Sequence, residues 1–182
     1  AIASGQIPED MQDQVVDRME IPVLKGRLEK KDLMLLDLIA NSDWSRPIYL
    51  NNTSLSGTNL DLRNYVIQEG SVFRIVPIRR PEMLQQLREE NLSTDRSYEI
   101  VKERFSFKNL DNPGVYYTED YRRIVLNHRT WMNSLAQFLV DEGDMERAEE
   151  VIRFNLEKIP DESLYYDYAT AQQVGIMFQL GM

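Results

Sequence analysis

A carboxylate and a guanidinium on either side of a glycine form the residue pair with the clearest chemical potential. Glu69 and Arg74 flank Gly70, where the pattern predicts that a helix turns into a strand. An ion pair there could belong to a ligand cleft at the ends of the strands. Structural ion pairs produce the same pattern, and we favour a structural salt bridge.

An aromatic residue also stands close to a guanidinium, in the turn from a predicted helix into a predicted strand that starts near Tyr49. Trp44 and Arg46 there could stack on a sugar or hold a peptide carboxylate. Alternatively, Trp44 fills the core while Arg46 binds carbonyl groups at the helix end. We favour core packing, because aromatic side chains dominate the cores of most domains.

The last third of the chain carries further candidate binding residues, most of them aromatic. His128 is the single histidine and lies on an apolar stripe beside Trp131, with no sequence signal for a catalytic partner, so we expect it to be packed and hydrogen-bonded. The tyrosines of this region, including Tyr116 and Tyr121, could line a concave peptide or glycan surface or fill the core, and both alternatives stay open.

Composition and missing motifs exclude several classes of function. The chain has 182 residues, no cysteine and one histidine, which excludes disulfides and Cys/His zinc sites. The acidic cluster of Asp141 and Glu142 with Asp144 lacks the spacing of a calcium loop, and no glycine-rich phosphate loop or Gly-x-Ser-x-Gly motif occurs. We therefore expect no metal and no cofactor. A net charge of −9 argues against nucleic acid or an anionic membrane surface as partner.

The elements that must position these residues predict an α+β fold. Strands and helices alternate as a small βαβαβ layer unit, with right-handed crossovers if its strands are parallel. The predicted strands cover Val15–Val23, Ile48–Leu50 and Val72–Ile78, and a loop covers Asn51–Asn59. The first predicted helix, over Lys31–Asn41, is apolar nearly all round, so we expect it to be buried on more than one side. The second begins with a capping box at Thr58 and Asp61 and ends at Gly70.

The remainder of the chain is predicted to be helical and similar to a tetratricopeptide repeat. With Arg129 at the first position of this repeat of roughly 34 residues, a turn glycine, a small residue and a terminal proline fall in register as Gly143, Ala148 and Pro160. The turn cluster that ends at Gly114 marks the boundary between the units. The predicted domains are a lead-in arm over 1–14, an α/β unit with trailing helices (83–90 and 93–105) over 15–112, and a tetratricopeptide-like helical unit over 113–182.

Two segments resemble a known family. They run from Lys31 to Tyr49, with Trp-x-Arg-Pro-Ile-Tyr, and from Tyr65 to Ile78, with Gln-Glu-Gly-x-x-Phe-Arg-x-Val-Pro. Nearly the whole chain resembles the extracytoplasmic C-terminal region of a family of multi-spanning bacterial membrane proteins of unknown function. That family is common in Bacteroidetes and is similar to protein O-mannosyltransferases of the GT-C class. Its C-terminal region combines an α/β portion with tetratricopeptide-like helices.

The resemblance implies that the chain is an excised tail without the catalytic machinery. It would be tethered on the periplasmic side of the inner membrane and would bind a protein or glycan acceptor, an assembly partner, or its own membrane-embedded region. We expect the groove between the α/β unit and the first long helix, near Tyr116, Tyr121 and Trp131. The alternatives are a free-standing tetratricopeptide-type scaffold without a glycan role and, less favoured, a small enzyme with a carboxylate pair that includes Glu69.

Overall fold

The computed structural model describes residues 1–7, 9–79 and 92–182. It divides the chain into two compact units, unit 1 over Ala1–Asn91 and unit 2 over Leu92–Met182. The predicted α+β class is confirmed. Unit 1 contains helix α1 (Lys30–Ala40), strand β1 (Ile48–Asn51), the short helix α2 (Asn52–Gly57), and strands β2 (Val66–Glu69) and β3 (Val72–Ile75). The helix predicted over residues 83–90 lies outside the described residues.

The three strands of unit 1 form one antiparallel sheet with the order β1-β3-β2. Strands β2 and β3 are a hairpin in which Val66 pairs with Ile75 and Glu69 pairs with Val72. Gly70, in the turn between them, has a φ of +62°. Glycine adopts this left-handed conformation without a steric penalty, so Gly70 closes a hairpin instead of ending a helix.

Both faces of the sheet are covered within unit 1. Val66, Ile75 and Ile48 pack on one side in a cluster with Ile39 of α1, and Ile67 packs on the other side with Ile7 of the N-terminal segment. The segment predicted as a lead-in arm thus packs on the sheet. The N–H of Val16 donates to the carbonyl of Pro77 at 2.9 Å, which adds a backbone contact to this packing.

Three predicted elements of unit 1 are wrong in the described structure. The strand predicted over Val15–Val23 pairs only at its ends, as isolated bridges to Ile78 and Leu60. The helix predicted before Gly70 is a single 3-10 turn over Arg63–Tyr65 followed by β2, because Val66 and Ile67 bury opposite faces of a strand. The loop predicted over Asn51–Asn59 contains α2, capped by the Asn51 side chain, which accepts from the N–H of Ser54 at 2.7 Å.

Helix α1 forms as predicted, but its burial differs from the prediction. Its inner face contains Ile39 and the buried carboxylate of Asp32, which also forms a capping box with Glu29. The outer face carries Leu33, Met34 and Leu38, and each of them is more than half exposed. The run of apolar residues is therefore longer than the surface that unit 1 covers.

Unit 2 consists of helix α3 (Thr94–Glu99, extended by a π-helical turn over Ile100–Arg104), α4 (Glu119–Asp141), α5 (Met145–Lys158) and α6 (Tyr168–Leu180). Gly143, with a φ of +85°, lies in the turn between α4 and α5. The boundary predicted between residues 112 and 113 falls inside unit 2, because Val101 and Leu110 pack in its main hydrophobic cluster with Ala148. Assignment of these helices to the tetratricopeptide class stays a prediction.

A buried arginine connects α4 to the segment between α5 and α6. The guanidinium of Arg129 donates to the carbonyls of Ile159 and Leu164 at 3.0 Å each and to the carbonyl of Tyr165 at 3.3 Å. Its side chain is only 1% exposed. Arg129 therefore supplies donors to carbonyl groups that follow α5 and would otherwise lack partners. No helix formed by the described residues is both long enough and apolar enough to cross a bilayer.

Candidate functional site

The turn after α1 holds Trp44 in an unusual backbone conformation. Trp44 has a φ of +59°, which is rare for a bulky side chain. Its N–H donates to the Ser42 hydroxyl at 3.1 Å, and the N–H of Ser45 donates to the Asp43 carboxylate at 2.9 Å. These local hydrogen bonds hold the turn and present a half-buried indole ring beside the core of unit 1.

The indole of Trp44 lines a cleft of about 470 Å³ within unit 1, which we call the Trp44 cleft. The cleft is also lined by residues of the segment 15–21, among them Met19 and Ile21, and by Leu36 and Ile39 of α1. Asp17 is the single carboxylate among the residues that line it, and the other walls are mainly apolar. Such a composition suits an apolar ligand whose polar groups stay at the rim.

Tyr65 holds the segment over residues 15–21 at Glu20, where this segment belongs to no strand. The Tyr65 hydroxyl accepts from the N–H of Glu20 at 2.7 Å and donates to the carbonyl of Glu20 at 3.1 Å. This side chain takes the place of a neighbouring strand at that point. Among the described residues, the backbone N–H groups of Asp17, Met19 and Ile21 have no hydrogen-bond partner.

Arg46, which the sequence places beside Trp44, does not line the cleft. Its side chain is exposed, and the guanidinium lowers the pKa of Asp43 as a secondary effect, after the hydrogen bonds from Ser45. The arrangement of Trp44 with Arg46 as one binding pair is therefore not found in the described structure. The indole combines instead with the apolar residues of the cleft.

Glu69 and Arg74 form the predicted ion pair, with 2.6 Å between the guanidinium and the carboxylate. Both side chains are buried, and the Tyr49 hydroxyl donates to the second carboxylate oxygen at 2.7 Å. Arg74 also donates to the carbonyl of Gln6 in the N-terminal segment. All three residues project from the same face of the sheet, because Tyr49 pairs with Arg74 and Glu69 lies diagonally opposite. The group connects the three strands to the N-terminal segment, so its role in the described structure is structural.

The candidate aromatic residues of unit 2 do not form one surface. Tyr116 and Tyr121 are well exposed, whereas Trp131 is buried in the main cluster. His128 is half-buried, with its ring edge-on to Phe105 at 5.5 Å between centroids. Burial lowers the pKa of His128, and its buried Nδ1 has no hydrogen-bond partner in the described structure. The expected packing of this histidine is found, but the expected hydrogen bond is not.

A comparison with models of known protein families identifies the family to which the residues of unit 1 belong. The family model for TMEM260-associated domain 2 matches residues 1–96, which is more than half of the chain. The chain belongs to this family. The TMEM260-associated domain 2 family is linked to TMEM260, a candidate protein O-mannosyltransferase. The match covers all of unit 1 and ends at the start of α3. No curated protein and no solved structure matches the chain.

The resemblance seen in the sequence is thus confirmed in its coarser form, as a domain linked to a membrane glycosyltransferase-like protein. The bacterial setting and the GT-C class stay predictions. Within the described parts of the TMEM260-associated domain and the helices after it, no three carboxylate or imidazole side chains cluster closely enough to hold a metal ion. The matched region contains the entire Trp44 cleft, so this cleft belongs to the family's own domain.

Sequence reasoning missed one important residue of unit 1, the buried carboxylate of Asp32. It accepts hydrogen bonds from the N–H groups of Glu29 and Asn59, from the Thr58 hydroxyl and from the Asn59 amide, all at 2.8–2.9 Å. Burial acts to raise the pKa of Asp32, but these hydrogen bonds outweigh it and hold the pKa far below its usual value. The capping-box spacing with Glu29 was the available signal.

Proposed function

We propose that this chain is a non-catalytic recognition module that accompanies a membrane glycosyltransferase-like protein. It would hold an extended polypeptide, either the acceptor or an assembly partner, in the Trp44 cleft. In the full-length protein we place the module on the extracytoplasmic side of the membrane, tethered to the membrane-embedded part. The family match supports the association with a glycosyltransferase-like protein.

The observation that carries the proposal is the combination of an apolar cleft with a neighbouring backbone segment whose N–H groups have no partner in the described structure. Recognition of extended peptides uses both kinds of contact, since backbone hydrogen bonds give affinity and side-chain pockets give specificity. Asp17, Met19 and Ile21 offer N–H groups without a partner in the described structure, and Trp44 lines the same cleft as these residues. A peptide with apolar residues at alternate positions would pack these side chains on the apolar residues of the cleft, and its carbonyl groups would accept hydrogen bonds from the unpaired N–H groups.

A non-catalytic role is consistent with how the buried acidic groups are used. Glu69 is buried and paired with Arg74, and Asp32 is buried and accepts four hydrogen bonds, so both carboxylates are used by contacts within unit 1. The cleft offers only Asp17, whereas glycoside hydrolysis uses two carboxylates at a defined separation. These arrangements support a binding role over the enzyme alternative.

The experiment is calorimetric titration of the whole chain with a serine- and threonine-rich peptide that carries leucine at alternate positions. Trp44→Gly is the test variant, because glycine adopts the φ of +59° without strain while it removes the indole. We expect the dissociation constant to rise about 30-fold, which corresponds to the loss of a binding hot spot. The melting temperature of the variant controls for folding.

The second candidate, a scaffold whose binding surface lies in unit 2, rests on exposed aromatic residues there. Tyr165 and Tyr166 are well exposed, and the guanidinium of Arg122 lies 5.4 Å from the Tyr165 ring centroid. In the same titration, Tyr116→Ala and Tyr121→Ala distinguish the candidates. If these substitutions weaken binding of the peptide and Trp44→Gly does not, the binding surface belongs to unit 2 and the cleft proposal is wrong.

A further inference from the structure

The outer face of α1 is an apolar ridge without a covering element among the described residues. Leu33, Met34 and Leu38 are 54%, 63% and 54% exposed. Met34 and Leu38 are four residues apart, so their side chains are neighbours on the helix surface. Clustered exposed apolar residues mark interaction sites more reliably than scattered ones.

The ridge continues into the loop before α1. Leu24 and Leu28 are exposed in this loop. The carboxylate of Glu29 lies 3.7 Å from the guanidinium of Arg27 and 3.1 Å from the ammonium of Lys31. One carboxylate thus contacts a loop cation and a helix cation, which places the loop and the first turn of α1 on a common surface.

This surface is positively charged, in contrast to the acidic chain as a whole. Lys25, Arg27, Lys30 and Lys31 are all exposed, and among the described residues Lys25 and Lys30 form no ion pair. The acidic residues between 23 and 38 are Glu29 and Asp37, which are exposed, and Asp32, which is buried but ionised, so the four cations exceed the carboxylates by one charge. Charges more than about 10 Å away are largely screened at physiological salt, so the net −9 does not cancel this local excess.

We propose that this patch, the five exposed apolar residues with the four cations and the exposed carboxylates of Glu29 and Asp37 beside them, docks on a bilayer surface that carries anionic headgroups. The ammonium and guanidinium groups would meet lipid phosphates while the leucines and Met34 reach the acyl boundary. A second copy of the chain fits less well, because a symmetric contact would set the excess positive charge against itself. The Trp44 cleft is lined by Leu36 and Ile39 of α1 and by none of the residues of this patch.

The test is co-sedimentation of the whole chain with vesicles of phosphatidylcholine that contain about one third phosphatidylglycerol, against pure phosphatidylcholine vesicles. The chain should bind the anionic vesicles and lose most of this binding between about 0.1 M and about 1 M salt. Met34→Ser with Leu38→Ser, and separately Lys25→Glu with Lys30→Glu, should each weaken binding at least about tenfold. Both pairs are exposed, so the melting temperature should not change.

The matched control is Val174→Ser with Phe178→Ser on α6, because these residues are also exposed and apolar but α6 carries no charged side chain. This variant should bind vesicles like the original chain. The proposal is overturned if the chain does not bind anionic vesicles, or if it binds both vesicle types equally. It is also overturned if Met34 and Leu38 are needed for self-association, or for binding to an acidic amphipathic peptide, while the chain does not bind vesicles. Peptide binding in the Trp44 cleft is measured separately and is unaffected by any of these outcomes.

Discussion

Replacement of Arg129 by methionine should destabilise unit 2 strongly. Methionine keeps much of the apolar stem, so the main loss is the guanidinium. Three backbone carbonyls, those of Ile159, Leu164 and Tyr165, then lose a donor, as does the Thr170 hydroxyl, which accepts from Arg129 at 3.2 Å. At about 1 kcal/mol or slightly more for each lost acceptor contact, the free energy of unfolding should fall by about 3–5 kcal/mol. This is a large share of the ~5–15 kcal/mol typical of a domain.

The distribution of tryptophans allows this loss to be measured for unit 2 alone. The chain has two tryptophans, Trp44 in unit 1 and Trp131 in the main cluster of unit 2. In a Trp44→Phe background, urea unfolding followed by tryptophan fluorescence reports only unit 2. The midpoint should shift with little change in slope, since the surface exposed on unfolding stays similar. Arg129→Lys, with fewer donors and no planar fork, should lose about half as much.

Arg123→Met is the matched control on the same helix. Arg123 is exposed, and its ion pair with Glu119 has a nitrogen–oxygen distance of 3.8 Å. An exposed pair of this kind contributes about 0.5 kcal/mol or less. If Arg129→Met costs less than about 1 kcal/mol, or no more than Arg123→Met, the carbonyl contacts do not stabilise the segment between α5 and α6 and the reasoning is refuted.

Three further predictions concern buried polar groups. Asp32→Asn should lower the melting temperature of unit 1 far more than the exposed control Asp37→Asn. The carboxylate of Asp32 accepts four hydrogen bonds, and the NH2 group of asparagine would point its own hydrogens at two of these donors. Equal losses for the two variants would contradict this. Glu69→Gln leaves Arg74 buried without its counter-ion and should cost unit 1 about 3 kcal/mol in urea unfolding, and a neutral effect would show that the pair is dispensable. Because burial lowers the folded pKa of His128, unit 2 should lose stability as pH falls below about 6.5. In His128→Phe the melting temperature should depend less on pH in this range. An unchanged dependence would show that this histidine is not the source of the stability loss.

Elements with strong local signals could be predicted from the sequence. Helices α1, α4 and α5 carry helical periodicity with recognisable turns and caps, and β1 and β3 are short β-branched or aromatic runs. The ion pair between Glu69 and Arg74 is found as the sequence predicts, because the two residues are close in the chain, although a hairpin and not a helix end lies between them. These features depend on residues that are near one another in the chain.

The remaining features depend on contacts between distant segments. The stretch Val15–Val23 has the alternation of a strand, but Tyr65, more than 40 residues later, supplies its central hydrogen bonds. The Trp44 cleft brings together residues 15–21, α1, the turn after it and Pro77, and no local pattern predicts such a meeting. The positive φ of Trp44 has no sequence signal either, since bulky residues rarely adopt it.

Amide hydrogen exchange of the whole chain, with and without the leucine-bearing peptide, tests the central claim most directly. The claim is that an extended polypeptide pairs with the free backbone of the Trp44 cleft. Bound peptide should slow exchange at Asp17, Met19 and Ile21, whose N–H groups have no partner in the described structure, and should leave α4 to α6 unchanged. Protection confined to unit 2, or tight binding without slower exchange at these three amides, would contradict the account.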